Sequence, residues 1–115
     1  IRRSGIDDRA LWAAVLEMKR GLIDADLGGN VIKKRVGVPG HGKRGGARMI
    51  VATAFAERWI FLYGFRKNER SNLRRDELRA LQEVASELLG LNDRQLEVAL
   101  QAGELEEVGY DNSKA

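Results

Sequence analysis

The sequence predicts an α+β fold, in which an N-terminal helix packs on a small antiparallel sheet and acidic helices follow at the C-terminal end. Apolar residues recur at helical spacing between Ile6 and Arg20, and two apolar runs of strand length lie close together at Ala47–Phe55 and Trp59–Phe65. Helical spacing returns after Asp76. With 115 residues, the chain is expected to form a single domain, 1–115.

The first helix is predicted to begin at Asp7. Ile6 and Leu11 have the spacing of a hydrophobic staple around that cap, and Gly21 can take the left-handed conformation that ends a helix. The apolar side chains expected on its inner face are Leu11, Trp12, Val15, Leu16, Met18 and Leu22. Packing against a sheet explains this face, so we assign no chemistry to the helix.

A polar connector, Leu22–Asn30, ends in a Gly-Gly-Asn turn and is predicted to lead into a short strand, Val31–Val36. Alternation places Lys33 and Arg35 together on one face of this strand. The other face has Lys34 between two apolar residues, an imperfect pattern that indicates a strand at the edge of a sheet or a strand end.

Residues 37–46 hold five glycines and the only proline, which predicts a mobile loop with exposed backbone amides. The apolar runs that follow, Ala47–Phe55 and Trp59–Phe65, are predicted to be adjacent antiparallel strands. Alternation in the second run puts four aromatic residues on one face, where we expect core: Trp59, Phe61, Tyr63 and Phe65. The outer ends of the hairpin bring six cations together: Lys43, Arg44, Arg48, Arg66, Lys67 and Arg70. Such a cluster repels itself unless anions bind to it.

Two helices are predicted in the C-terminal part. The first spans Asp76–Leu89, and the second has a capping box formed by Asn92 and Gln95. Gly103 is expected to end the second helix, and Glu104–Val108 could form a short final strand. A helix-turn-helix DNA reader would also have two such helices, but its recognition helix must approach phosphates and this pair is strongly acidic.

Charge is distributed unevenly along the chain. Residues 1–30 hold five basic and five acidic side chains, residues 31–75 hold twelve basic and two acidic, and residues 76–115 hold three basic and ten acidic. A charge run is commonly just a solvated face. A middle segment with an excess of ten positive charges, which is also the most strand-like part of the chain, is instead the pattern expected of a protein that binds a phosphate backbone.

Composition excludes several classes of site. The chain has no cysteine, which rules out disulfides, thiol catalysis and thiolate metal sites and fits a reducing cytoplasm. No apolar run approaches the ~18 residues of a membrane span, and no secretory signal is present. The single histidine excludes a ribonuclease mechanism that uses paired histidines. Because the sequence begins with Ile1 and not Met, an N-terminal strand could lie upstream.

Two motifs flank the predicted hairpin: GKRGGAR at residues 42–48 and KNERSNL at residues 67–73. In this order around a strand pair they resemble the RelE/HigB family of bacterial type II toxins, over roughly residues 1–90. The resemblance implies N-terminal helices packed on an antiparallel sheet and ribosome-dependent cleavage of messenger RNA, without metal or other cofactor. It also implies contacts with ribosomal RNA and a cognate antitoxin, expected to be a helix-turn-helix DNA-binding protein.

The resemblance also implies roles for individual residues. Arg48 corresponds to a sheet arginine that contacts the scissile phosphate, and Lys33 and Arg35 correspond to paired basic residues of the preceding strand. Lys67 corresponds to the lysine of the family's KxER segment and completes the expected catalytic set. The residues expected to bind RNA are His41, Lys43, Arg44, Arg70 and Arg74. The chain departs from the RelE pattern where Asn68 replaces an arginine and where Arg74 stands near the position of a tyrosine, whereas the loop around His41 is more similar to HigB.

RNA cleavage without a metal ion needs a group that removes the 2′-hydroxyl proton, a group that protonates the leaving 5′-oxygen, and positive charge on the phosphorane. Arginine stays protonated at ordinary pH, which leaves Lys33, Lys67, His41 and Glu69 as proton carriers. Glu69 is favoured as an organiser of neighbouring arginines. A lone histidine on a glycine-rich loop is most often a solvent-exposed bystander, and metal ligation by His41 lacks the partners that it needs.

Two other functions remain open at this point. A ParE-like protein would share the fold but poison DNA gyrase, and a non-catalytic module would use the same cations only to hold phosphates. The pairing of Arg48 with the KNER segment favours the nuclease.

Overall fold

The protein is described here from a computed structural model, which covers residues 6–38, 42–54, 57–67, 69–70 and 72–109, with side chains excepted at 38 and 42–45. The elements are α1 (Asp8–Lys19), β1 (Ala25–Gly28), β2 (Val31–Val38), β3 (Gly42–Thr53), β4 (Trp59–Arg66), α2 (Arg75–Leu89) and α3 (Asp93–Gln101). The four strands form an antiparallel sheet in the order β1-β2-β3-β4. The predicted α+β fold, with one helix before the sheet and two after it, is confirmed.

Helix α1 begins and ends as the sequence predicts. The Asp7 side chain accepts a hydrogen bond from the backbone N–H of Ala10 at 2.9 Å, and Gly21 after the helix has φ 86°. Its inner stripe consists of Leu11, Ala14, Val15 and Met18, all of which are buried. Leu16 and Leu22 were wrongly expected on this stripe and are 56% and 50% exposed. A helix on a flat sheet buries one narrow stripe, and Leu22 lies beyond the glycine that ends the helix.

The sheet is larger than the sequence predicts. Strand β1 lies inside the segment that was expected to be only a connector, because its sequence, ADLG, has none of the β-branched or aromatic residues typical of strands. The Gly28-Gly29-Asn30 turn is confirmed, with φ values of 88°, 62° and 63°. The glycine-rich loop is shorter than expected, since β2 extends to Val38 and β3 already begins at Gly42.

Lys34 corrects the prediction that β2 is an edge strand. The strand lies between β1 and β3, and Lys34 is 4% exposed on the face covered by α1. Its ammonium group is 2.7 Å from Glu17 Oε1 of α1 and donates a hydrogen bond of 2.8 Å to the carbonyl of Leu22. A buried lysine needs such partners, so this pair ties α1 to the centre of the sheet.

An extra residue in β4 divides the aromatic side chains between the two faces. Ile50 lies opposite Tyr63 whereas Val51 lies opposite Phe61, so that Leu62 forms a bulge. Trp59 and Phe61 pack on the α1 side, and Phe65 packs in the cluster on the α2 side. The prediction that all four aromatics share one face is therefore wrong, because alternation holds only where no residue is inserted.

The sheet is covered on both faces. The α1 side buries Ile32, Val36, Ala47, Met49 and Val51, and the α2 side buries Val31, Ile50, Ala52 and Phe65 with Ala85 of the helix. Polar contacts fix α2 at its middle and at its C-terminal end. The Gln82 amide donates to the carbonyls of Leu27 and Gly28, each at 3.2 Å, and Arg58 donates to the carbonyls of Leu88 and Leu91 at 3.0 and 2.8 Å. Arg58 thus satisfies carbonyl groups at the C-terminal end of α2.

The last helix follows its sequence signals closely. Asn92 and Gln95 form the predicted capping box, and Gly103 after the helix has φ 79°. The expected final strand is wrong, since residues 104–108 are described and lie outside any strand. This segment instead returns to the start of α1, where the Gly109 N–H donates to Asp8 Oδ2 at 2.8 Å.

Candidate nucleic-acid interface

Two rows of residues cross the sheet on its α2 side and carry most of the chemistry. In one row Arg35 lies opposite Arg48, which lies opposite Phe65 on the next strand. In the adjacent row Lys33 lies opposite Ile50, which lies opposite Tyr63. Residues that face each other in antiparallel strands project from the same side of the sheet. We call the surface formed by Lys33, Arg35, Arg48, Tyr63 and Phe65 the basic face.

Arg48 is the most enclosed cation of the basic face. The residue is only 8% exposed, although it belongs to the cation cluster expected at the outer ends of the hairpin. Its Nε lies 3.6 Å from Asp24 Oδ2, and its Nη1 is buried with no hydrogen-bond partner. A buried charged donor without a partner is costly, and an anionic ligand would satisfy it.

Asp24 lies between the two arginines and was not among the candidates from sequence. Its Oδ2 is 3.4 Å from Nε of Arg35 and 3.6 Å from Nε of Arg48, and its side chain is 22% exposed. The residue precedes β1, the strand that composition failed to indicate, and β1 is what carries it next to β2. The sequence contained no signal for this contact, since Asp24 is separated from Arg48 by 24 positions.

The Arg35 side chain is 48% exposed, in contrast to that of Arg48. The pair therefore presents one exposed and one buried guanidinium around a single carboxylate, with a net charge of one positive unit. Lys33, half-buried in the adjacent row, adds a further cation. A phosphate group would meet fixed positive charge here without a large rearrangement of the strands.

Aromatic rings adjoin these cations. The centroids of Tyr63 and Phe65 are 6.0 Å apart, and the guanidinium carbon of Arg70 lies 5.7 Å from the Phe65 centroid. Tyr63 is 37% exposed, whereas Phe65 is buried. The expectation that Tyr63 is core is therefore only partly met, because more than a third of the residue is exposed.

Arg70 is held by the protein itself. Its two terminal nitrogens donate to the two carboxylate oxygens of Glu77, with 2.9 Å between Nη1 and Oε2, and its Nε donates to the carbonyl of Asn72 at 3.0 Å. The hydrogen bonds to Glu77 raise the pKa of Arg70, with a smaller contribution from Tyr63, and the Arg70 guanidinium lowers the pKa of Glu77 to about 2. The charge of Arg70 is thus largely neutralised, which favours a structural role over a phosphate contact.

The other candidates lie in the segment between β4 and α2 or outside the described residues. Lys67 is exposed in the turn after β4, where Glu69 Oε1 accepts a hydrogen bond from the backbone N–H of Arg66 at 3.3 Å. Arg74 caps α2, is 67% exposed and pairs with Asp76 at 3.2 Å, which lowers the pKa of Asp76. Nothing is described for His41 or for the side chains of Lys43 and Arg44.

Within the described ranges, no group of three or more histidine, aspartate or glutamate side chains is placed to hold a metal ion. No helix in the same part of the chain is both long and apolar enough to cross a membrane.

Comparison with known proteins identifies the family. The family described as "RelE toxin of RelE / RelB toxin-antitoxin system" matches residues 1–108, which is nearly the whole chain. No curated protein matches the sequence. The family pairs each toxin with an antitoxin, so that an antitoxin partner is implied. The chain belongs to the RelE toxin family and is the toxin component of a toxin–antitoxin system.

Proposed function

We propose that this toxin, as one domain spanning residues 1–115, is an endoribonuclease that cleaves translated messenger RNA on the ribosome without a metal ion. The observation that carries the proposal is the buried Nη1 of Arg48, which has no partner beside the Arg35 guanidinium. A donor held in this way supports selective binding of the charge that develops on phosphorus during cleavage. An activity on translating ribosomes would take place in the cytoplasm.

In this proposal the basic face divides its roles among neighbouring residues. Arg48 and Arg35 hold the scissile phosphate, and Lys33 contributes charge from the adjacent row. Lys67, exposed in the turn after β4, reaches the backbone of the message from the rim. The loop that contains His41, together with Lys43 and Arg44, is proposed to contact ribosomal RNA or the message.

Tyr63 is proposed to stack on a base next to the scissile bond. The ring lies on the same face as Arg48 and is 37% exposed, and it packs beside Phe65, which Arg70 contacts in turn. Aromatic side chains stack on unpaired bases with little preference for sequence. The RelE pattern has a tyrosine near the position where this chain has Arg74, and Tyr63 supplies an aromatic ring for stacking in this proposal.

The experiment that tests the function uses purified toxin and ribosomes programmed with a defined message. Discrete cuts in the ribosome-bound message, and none in the same RNA without ribosomes, are the expected result. Cuts in DNA incubated with gyrase would favour a ParE-like poison. Binding to ribosomes without cleavage by freshly folded protein would favour a non-catalytic module and contradict the proposal.

A further inference from the structure

We propose that Asp24 is the catalytic base of this reaction, and that its carboxylate accepts the proton of the attacking 2′-hydroxyl. The inference rests on the proposed function, since it names the group that starts the cleavage. It replaces the lysine, histidine and glutamate candidates that the sequence indicated with a residue that only the fold brings to the basic face.

Asp24 lies where a base for this reaction has to act. Asp24 Oδ2 lies 3.4 Å from Nε of Arg35 and 3.6 Å from Nε of Arg48. Both guanidinium groups therefore contact the carboxylate, so a phosphate bound between Arg35 and Arg48 would lie next to Asp24. The attacking 2′-oxygen lies about 3–3.5 Å from phosphorus in a reactive geometry, which brings it between the phosphate and Asp24.

The charges of the two arginines also fit this role of Asp24. A carboxylate would repel an incoming phosphate if it stood alone, but Arg35 and Arg48 supply two positive charges for these two negative ones. Binding of a phosphodiester therefore brings the three side chains and the phosphate to neutrality. The arginines offset the repulsion between the carboxylate and the phosphate on which it acts.

The other side chains that could take up a proton near this face fit the role less well. A lysine amine carries its proton at neutral pH and must lose it before it can act as a base, whereas a carboxylate is already ionised. Two other carboxylates are described near these residues: both oxygens of Glu77 accept hydrogen bonds from Arg70, and Glu69 Oε1 accepts one from the backbone N–H of Arg66 in the turn after β4. The contacts of Asp24 with the two arginines use Oδ2, which leaves Oδ1 for the 2′-hydroxyl.

The step balances without a cofactor. Asp24 takes the proton of the 2′-hydroxyl, the 2′-oxygen forms a bond to phosphorus, and the bond between phosphorus and the 5′-oxygen breaks. The leaving 5′-oxygen takes a proton from water, and the hydroxide that results removes the proton from Asp24. The products are a 2′,3′-cyclic phosphate and a 5′-hydroxyl end, and the base is regenerated.

The test compares Asp24→Asn with Asp26→Asn in the ribosome-dependent cleavage assay. Asparagine at position 24 keeps an oxygen that can accept from both arginines but cannot take up the proton. We expect Asp24→Asn to cut slower by about 100-fold or more, with ribosome binding and thermal melting unchanged. Asp26 is the matched control because it lies two residues away in β1 and its Oδ1 accepts only a local hydrogen bond from Gly28 at 3.0 Å. Asp26→Asn is expected to cut normally.

A second variant separates proton transfer from positioning of the arginines. In Asp24→Ala, added formate can enter the vacated space and act as a diffusible base, so we expect the cleavage rate to rise with formate concentration. No rescue in a folded Asp24→Ala protein that still binds ribosomes would show that Asp24 only orients Arg48. Cleavage by Asp24→Asn at the unaltered rate would also overturn the proposal. A rate above that of the unaltered protein would overturn it too, and would indicate that the carboxylate competes with phosphate.

The two proposals fail in different ways. If the unaltered protein cleaves and Asp24→Asn cleaves equally well, the proposed function stands and Asp24 is not the base. If the unaltered protein does not cleave any ribosome-bound message, the proposed function fails, and the role of Asp24 fails with it.

Discussion

Replacement of Arg48 by lysine is the sharpest test of the basic face. Lysine keeps the positive charge near Asp24 but removes the planar fork, including the Nη1 that is buried without a partner. If that donor binds the phosphate only as negative charge develops, its loss should slow cleavage by about 100- to 1,000-fold, or roughly 3–4 kcal/mol in activation free energy. Ribosome binding should change much less, since it is spread over many cations.

The assay is single-turnover cleavage of a message on programmed ribosomes, with ribosome binding measured in parallel. Arg79→Lys is the matched control, because Arg79 is an exposed arginine on α2. Arg48→Ala should lose at least as much activity, and it should also lower the free energy of unfolding by about 1–3 kcal/mol, since it deletes a side chain that is 9% exposed.

Two results would refute this reasoning. A folded Arg48→Lys protein that cuts at the unaltered rate would show that the forked geometry is not used. Equal losses of cleavage and of ribosome binding would show that Arg48 holds the ribosome complex together and does not act selectively in the transition state.

Four further outcomes are expected. Lys34→Met should lower the free energy of unfolding by about 2–4 kcal/mol in urea titration, because it removes the buried ammonium group that Glu17 and the carbonyl of residue 22 contact. Tyr63→Ala should slow cleavage by about 5- to 150-fold, as expected for one lost stacked base, whereas Tyr63→Phe should keep most of the activity. Arg70 lowers the pKa of the Glu77 carboxylate from 4.5 to about 2. The charged carboxylate should therefore contribute stability that is fully present above pH 4.5 and is lost as the pH falls towards 2. The melting temperatures of Glu77→Gln and of the unaltered protein should converge over that range. Binding to single-stranded RNA should weaken with salt at a log–log slope of about −2 or steeper, if three cations of the basic face contact phosphates.

Each of these outcomes has a contrary result. A Lys34→Met protein as stable as the original would show that the buried ion pair only replaces an equally good apolar contact. Equal activity of Tyr63→Ala and Tyr63→Phe would exclude stacking by the ring. A melting difference for Glu77→Gln that stays constant below pH 4.5 would show that its charge is not what stabilises the start of α2. RNA binding that does not change with salt concentration would mean that the cations are solvated and do not contact phosphates.

The sequence by itself determined the local features of this protein. Helix ends are encoded within a few residues, which is why the Asp7 cap, the capping box of Asn92 and Gln95, and the glycine stop at Gly103 are all present as predicted. The sequence also predicted the hairpin of β3 and β4 and the concentration of positive charge around it, because both depend on residues that are near one another in the chain. The family resemblance depended on the same stretch.

Alternation placed Lys33 and Arg35 on one face, but only the tertiary structure decided which other side chains lie beside them. The bulge at Leu62 turns Tyr63 towards the cations, and one inserted residue leaves no mark in a pattern of alternating polarity. Burial of Lys34 depended on Glu17 arriving from α1, and the position of Asp24 depended on β1 pairing with β2 despite a composition that does not favour strands. Pairing between distant segments and burial are properties of the whole packed chain, so the charge of Arg48 was predictable from sequence, whereas its enclosure and its carboxylate neighbour were not.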